Sequence, residues 1–298
     1  MKCLLCNTDI STTLLTDTLR DNQKVNVYYC SSCDLGILDY WKTEQQLQDF
    51  YKSQYRLEPP EKTFADFSRF QKERIDLLSP YLSSQTKLLE VGSSSGMFLH
   101  GIRNKVQEVK GFDYDENSSN FTEKICNCQV YRELEQIPLH YFDVICIYQT
   151  LEHVFNPVSF LQYLIQSLKP TGIIHIEVPN LRDALVSTYC NKAYTSFYFH
   201  VAHLWYFTAT SLSKLLKIVG FEGIVYFVQD YNVLNHLSWI QTGKPQQYTE
   251  GRKIPSVPVQ LEEINCFFSR MDKDYKDLLK QFHITDNIHF IGKRMESV

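Results

Sequence analysis

Four thiols crowd the start of the chain. Cys3 and Cys6 form one C-x-x-C pair in MKCLLCNTDI, and Cys30 and Cys33 a second in VYYCSSCDLG. Two such pairs in one short stretch have the spacing of a tetrahedral zinc site, with each pair on a tight knuckle. The gap between them is slightly longer than in the usual ribbon and leaves room for a hairpin. Disulfides, a redox dithiol and chance are the competing readings; a redox motif needs one pair, and a reducing compartment disfavours disulfides. A four-cysteine site is coordinatively closed, so a zinc ion here builds structure and does no chemistry. Cys126, Cys128, Cys146, Cys190 and Cys266 are scattered without pairing logic and read as small buried hydrophobes.

A second chemical stretch is Glu90-Val91-Gly92-Ser93-Ser94-Ser95-Gly96. A dinucleotide fingerprint requires glycines at 92, 94 and 97, but positions 94 and 97 are Ser and Met. A phosphate loop requires a lysine that is absent. What remains is an acid followed by a glycine-bounded turn, which lets backbone approach a ligand at the start of a helix. Asp113 follows 21 residues past Gly92, where a carboxylate typically takes the hydroxyls of a ribose. A ribose plus a carboxylate at a helix end describes S-adenosylmethionine. Proton acceptors are available at His153 in QTLEHV and at His200 and His203 in FYFHVAHLWYFT; His100, His140 and His289 carry no such context.

Elements that must position these residues follow from the pattern. DISTTLLTDT, a turn at Asp21-Asn22 and the alternating KVNVYY form a hairpin between the cysteine pairs. Residues 41–82 are polar and aromatic, broken at Pro59-Pro60. Phe64, Phe67, Phe70 (or the stem of Arg74), Ile75 and Leu78 then space an amphipathic helix. From Thr86 strands and helices alternate: TKLLEVG, EVKGFD, CQVY, FDVICIY, GIIHIEVPN, FEGIVYFV and NIHFIG are strands. The helix PVSFLQYLIQSLK stops at Pro170, and PVQLEEINCFFSRMDKDYKDLLKQF has helical spacing. YNVLNHLSWIQTGKPQQY is either a helix packed on the sheet edge or an aromatic cover for a pocket. The result is an α/β chain with a Rossmann-like, doubly wound sheet of seven strands whose last strand inserts antiparallel.

LLEVGSSSGMFL, GFDYDENSS, FDVICIYQTLEHV, LKPTGIIHIEVPN and HLWYFTATSLSKLLKIVGF together resemble the successive motifs of class I S-adenosylmethionine-dependent methyltransferases. Within that superfamily the chain resembles the branch that includes sugar methyltransferases, some with an N-terminal four-cysteine zinc domain. The resemblance implies that Glu90, Gly92, Ser93, Ser94 and Gly96 form the methionine-side loop. It implies that Asp113 is the ribose clamp with Tyr114 beside it, that Glu133 and the Leu134 backbone read adenine, and that Gln149 lines the cofactor pocket. Ser94 stands where most relatives have glycine. The H-x-x-Y-F-T segment at His203 resembles the catalytic segment of zinc-containing sugar C-methyltransferases, in which glutamate precedes the histidine. Here that residue is Ala202, which points away from carbanion chemistry and leaves His203 as a plain histidine base for O-methylation or as a substrate ligand, with His153 the second candidate for the base.

Composition narrows the partners. The chain has 298 residues, 44% hydrophobic and 21% charged, with a net charge of -4, and the isoelectric point is near 6.1. That balance gives no electrostatic footprint for nucleic acid, and no apolar run spans a bilayer. Without the features of a secretory signal, the expected compartment is the cytoplasm. The expected organisation is a zinc ribbon over 1–40, a helical linker or lid over 41–82 and a methyltransferase domain over 83–298. The expected acceptor is a small molecule, a sugar or nucleotide sugar. An RNA base methyltransferase and a non-catalytic cofactor-binding module are the alternatives.

Overall fold

A computed structural model describes residues 1–51, 58–246 and 261–295. Their strands, in chain order, are β1 (Leu14–Thr18), β2 (Lys24–Cys30), β3 (Leu35–Leu38), β4 (Lys87–Val91), β5 (Glu108–Phe112), β6 (Val130–Tyr131), β7 (Phe142–Tyr148), β8 (Leu168–Pro179), β9 (Trp205–Tyr206), β10 (Phe221–Val228) and β11 (Asn287–Arg294). The chain divides into two compact units. One comprises Met1–Tyr40, Val178–Lys214 and Val225–His289, and the other Trp41–Glu177, Leu215–Ile224 and Phe290–Val298.

In the first unit the expected hairpin is present. β1 pairs antiparallel with β2, and the turn Arg20–Asn22 places Asn22 at φ 59, a left-handed step that asparagine tolerates. β3 follows the second cysteine pair, pairs antiparallel with β2 and is buried along its whole length. It pairs on its other side with β9. A two-residue strand has too few positions to show an alternating pattern, so β9 is invisible in the sequence.

In the second unit β4, β5, β6 and β7 are parallel neighbours. Strands covered on both faces read as continuous apolar runs, and KLLEV and FDVICIY are buried almost throughout. Leu78, Leu88, Phe98, Leu99, Ile102 and Cys146 form their core. The mixed seven-stranded sheet has the order β6-β5-β4-β7-β8-β11-β10, so the last strand inserts as the pattern implied. The helix before β8 ends at Ser167, and Pro170 lies inside β8. It falls where the register jumps from Phe142↔Leu168 to Val144↔Ile173, an irregularity that tolerates the missing N–H.

Two further expectations change. The helix expected across 64–78 is two, Pro60–Phe67 and Lys72–Leu78, separated by a 3-10 turn at Ser68–Phe70; Gln71 donates its side-chain amide to the Phe67 carbonyl in the break. Of the five scattered cysteines, Cys126 and Cys146 are buried, but Cys190 and Cys266 are exposed. Cys190 sits at φ 48 in a loop, and Cys266 is on a long helix with a solvent face. The aromatic stretch after Asp230 is a helix, Val233–Thr242. Residues 52–57, 247–248 and 258–260 of the stretches named above lie outside the described residues. Among the described residues no helix is long and apolar enough to cross a membrane.

Candidate functional site

The loop 90–96 leaves the C-terminal end of β4. Its backbone takes left-handed steps at alternate residues: Gly92 at φ 77, Ser94 at φ 47 and Gly96 at φ 68. Two of these are glycines, for which the region is open. A Cβ on Gly92 would lie 2.1 Å from Thr150 Oγ1, so the position excludes any side chain. Ser94 is held in its unfavourable conformation from both sides: its N–H donates to Asp113 Oδ2 at 2.8 Å, and its carbonyl accepts from Thr122 Oγ1 at 2.8 Å.

Asp113 closes β5, as its position in GFD implied. Besides holding Ser94, it accepts from the Asp115 N–H at 2.9 Å, so one carboxylate ties the β5 end to the glycine loop. Tyr114 beside it is partly exposed, and burial of its ring pushes the phenol up to about 12. Glu133 precedes the short turn Leu134–Gln136, and its N–H donates to Gln136 Oε1.

Inside the loop, burial pushes the Glu90 carboxyl well above the usual carboxylate range. Glu90 Oε2 and Ser93 Oγ are buried and have no hydrogen-bond partner. Buried polar atoms are normally paired, so these two mark where a ligand's donors belong. A buried carboxyl oxygen, an open hydroxyl, a backbone turn closed to side chains and a neighbouring carboxylate fit S-adenosylmethionine, which carries an ammonium, a sulfonium and a ribose diol.

Gln149 follows β7 at φ 48. It is fixed by Glu177 twice, N–H to the carbonyl at 2.9 Å and side-chain amide to Oε1 at 2.9 Å. Arg74 grips the same carboxylate through Nε and Nη2, both at 2.6 Å, and lies 4.7 Å from the Tyr148 ring centre. Arg74 and Glu177 were missed as site residues. The available signals were an arginine on an apolar helical stripe and an acid inside the buried run IHIEVP.

His153 lies in the turn Leu151–His153. Its Nδ1 is 2.7 Å from the Tyr51 hydroxyl, and its Nε2 is 3.7 Å from Glu152 Oε1. Glu152 is fully buried, which pushes its carboxyl up to about 8. His203 belongs to the first unit. Its ring centre lies 3.8 Å from that of His200 and 5.9 Å from that of Tyr206.

Also in the first unit, the sulfurs of Cys3, Cys6, Cys30 and Cys33 all lie within 4.8 Å of one another. Cys3, Cys30 and Cys33 are buried and Cys6 is half-buried. Burial pushes the Cys3 thiol up to about 12 and raises that of Cys33, while the Thr8 hydroxyl draws Cys6 down to about 6.

Strand order and loop geometry are those of a class I S-adenosylmethionine-dependent methyltransferase fold. The chain belongs to the methyltransferase-domain family, whose profile matches residues 63–225; it is a methyltransferase. No curated protein sequence matches it. Among solved structures it is similar to a SAM-dependent methyltransferase from Archaeoglobus fulgidus, with a TM-score of 0.53 and 21% identity over 78% of this chain and 97% of that one. It is also similar to Haemonchus contortus phosphoethanolamine N-methyltransferase 2 in complex with S-adenosyl-L-methionine, with a TM-score of 0.51 and 14% identity over 88% of this chain and 62% of that one.

Proposed function

We propose that the protein transfers a methyl group from S-adenosylmethionine to a hydroxyl of a small molecule, a sugar or nucleotide sugar, in polysaccharide or secondary-metabolite biosynthesis. The observation that carries this reading is the loop 90–96, where Glu90 Oε2 and Ser93 Oγ lack partners beside Asp113. When bound, the cofactor supplies a methyl on a sulfonium that is already activated. The chain's own work is to hold it and orient the acceptor. Glu90, Gly92, Ser93, Ser94 and Gly96 form the methionine side, Asp113 and Tyr114 the ribose side, Glu133 and Leu134 the adenine end, and Gln149 the wall. A hydroxyl must shed its proton as it is methylated. His203 is the base of first choice and His153 the second.

The four cysteines are proposed to hold a structural zinc. Zn–S bonds of about 2.3 Å put tetrahedral sulfurs about 3.8 Å apart, within reach of this cluster. The Cys3 and Cys33 thiols, which burial keeps protonated, become thiolates around a cation. A ribbon over 1–40, a helical segment over 41–82, a methyltransferase domain over 83–298 and residence in the reducing cytoplasm complete the reading.

Calorimetry with S-adenosylmethionine and with NAD, followed by mass spectrometry of nucleotide sugars incubated with enzyme and cofactor, tests it. Cofactor binding and a methylated sugar are expected. NAD binding without response to S-adenosylmethionine overturns the assignment, salt-dependent RNA binding favours an RNA acceptor, and cofactor affinity without turnover on any acceptor favours a binding module.

A further inference from the structure

Lys214 stands far from the cysteines in sequence, in the helix Ala209–Val219, yet its ammonium donates to Cys33 Sγ at 3.1 Å. Two other groups from the same part of the chain hold the same knuckle. Thr208 Oγ1 donates to the Asp34 carbonyl at 2.8 Å. Arg182 donates to Asp34 Oδ1 at 2.7 Å, an oxygen that also accepts from the Tyr29 hydroxyl at 2.6 Å. Asp34 needs such support, because it sits at φ 55, outside the comfortable range of a side-chain-bearing residue. The pair Cys33-Asp34 is therefore fixed from outside the ribbon at sulfur, carbonyl and carboxylate.

The contact at sulfur has a chemical consequence the other two lack. Four thiolates around a dication carry a net charge of -2, and Cys3, Cys30 and Cys33 place most of it out of water. Charge in a low-dielectric interior is costly unless a counter-charge or hydrogen bond meets it. At the exposed end of the cluster, Cys6 lies 3.2 Å from Thr8 Oγ1, a hydroxyl of its own loop. At the buried end the partner is a full positive charge.

We propose that Lys214 is the charge partner of the tetrathiolate site, a positioning residue that acts through Cys33 and holds this thiolate on the metal. The inference rests on the reading of the four cysteines as a zinc site. It makes metal retention depend on a residue within the methyltransferase-family segment 63–225, well outside the ribbon.

The test is cobalt(II) loading of the full chain under reducing conditions, for wild type, K214M, K214Q and K214R, with K217M as a control on an exposed lysine of the same helix. Wild type is expected to bind one cobalt per chain with strong thiolate-to-metal absorption. Loss of the ammonium raises the energy of the sulfur lone pairs, so in K214M and K214Q that band moves to lower energy. Loss of an outer partner of a metal ligand typically costs about 10–100-fold in affinity, and both neutral variants are expected to surrender metal to a chelator correspondingly more readily. K214R restores band and retention, and K217M matches wild type. Neutral variants identical to wild type in both readouts overturn the role of Lys214 while leaving the metal site standing. A wild-type chain that holds neither zinc nor cobalt overturns the zinc reading and this inference with it.

Discussion

Gly36 on β3 lies opposite Tyr206 on β9, and a Cβ added to Gly36 would lie 3.0 Å from the Tyr206 Cβ. Tyr206 is fully buried, and its hydroxyl accepts from the His200 N–H at 3.0 Å and donates to the His200 carbonyl at 3.1 Å. A strand of the cysteine ribbon is thus packed against the residue that shapes the loop carrying His200 and His203. G36V should force the two strands apart at a cost of about 1–3 kcal/mol, the usual range for overpacking. Urea unfolding reads that loss. If the loop carries the base, G36V also lowers turnover while S-adenosylmethionine affinity is unchanged, since the loop 90–96 belongs to the other unit.

Gly92 gives a sharper test of the cofactor loop. G92A meets two obstacles, a left-handed φ of 77 and Thr150 Oγ1 at 2.1 Å. The conformation alone costs about 1–2 kcal/mol for an L-residue, and the overlap adds to it. Calorimetry should show S-adenosylmethionine binding weakened by at least tenfold, the equivalent of about 1.4 kcal/mol. Wild-type affinity in G92A would place the cofactor elsewhere.

Asp113 was expected to hold ribose, and it also has a second task. D113A is expected to weaken the cofactor by roughly 1.5–3 kcal/mol through lost charge-assisted hydrogen bonds. D113N separates the tasks. Its one carbonyl oxygen can still accept from Ser94 or Asp115, but its amide cannot accept from the other N–H. D113N should therefore cost thermal stability as well as affinity, and a melting curve beside the calorimetry checks both.

Why the sheet was legible and parts of the site were not has a physical basis. KLLEV and FDVICIY are apolar runs bounded by turn residues, and their burial on both faces left a pattern that sequence alone carries. Gly92 and Gly96 were legible because a left-handed turn demands glycine. Tyr51, Arg74 and Glu177 were not, because their roles come from pairings across many residues: Arg74 with Glu177 and Tyr51 with His153. Lys214 was not legible for the same reason, its partner Cys33 lying 181 residues earlier. β9 was hidden by its length, since two residues are too few to show an alternating pattern.

Glu152 makes a pH-dependent prediction. Burial raises its carboxyl from the usual 4.5 to about 8 in the folded protein. The folded state therefore binds the proton more tightly than the unfolded chain. The stability this group contributes is fully present below pH 4.5 and is lost progressively as pH rises to about 8. Glutamine keeps the neutral shape and does not titrate. E152Q should consequently gain stability relative to wild type as pH rises through that window, with little difference at pH 4. Parallel urea titrations at several pH values measure the trend, and a flat difference would mean that the carboxyl is ionised in the fold.

The identity of the base remains the most direct test of the acceptor. A sugar hydroxyl is a weak nucleophile, and its proton must leave as the methyl arrives, so a neutral imidazole within reach accelerates transfer by about 10²–10⁴-fold. H203A should lower turnover by that order with cofactor affinity nearly unchanged. Activity should also fall at pH low enough to protonate the base, since only a neutral imidazole can accept the proton. His153 offers the contrast. Its Nδ1 is engaged by the Tyr51 hydroxyl at 2.7 Å, so Y51F alters its tautomer preference and hydrogen bonding without removing the ring. If turnover survives in H203A but collapses in H153A, with Y51F shifting the pH profile, the base is His153. If neither histidine matters, the acceptor is an amine or thiol that gives up its own proton to solvent, and the sugar hydroxyl falls with the base.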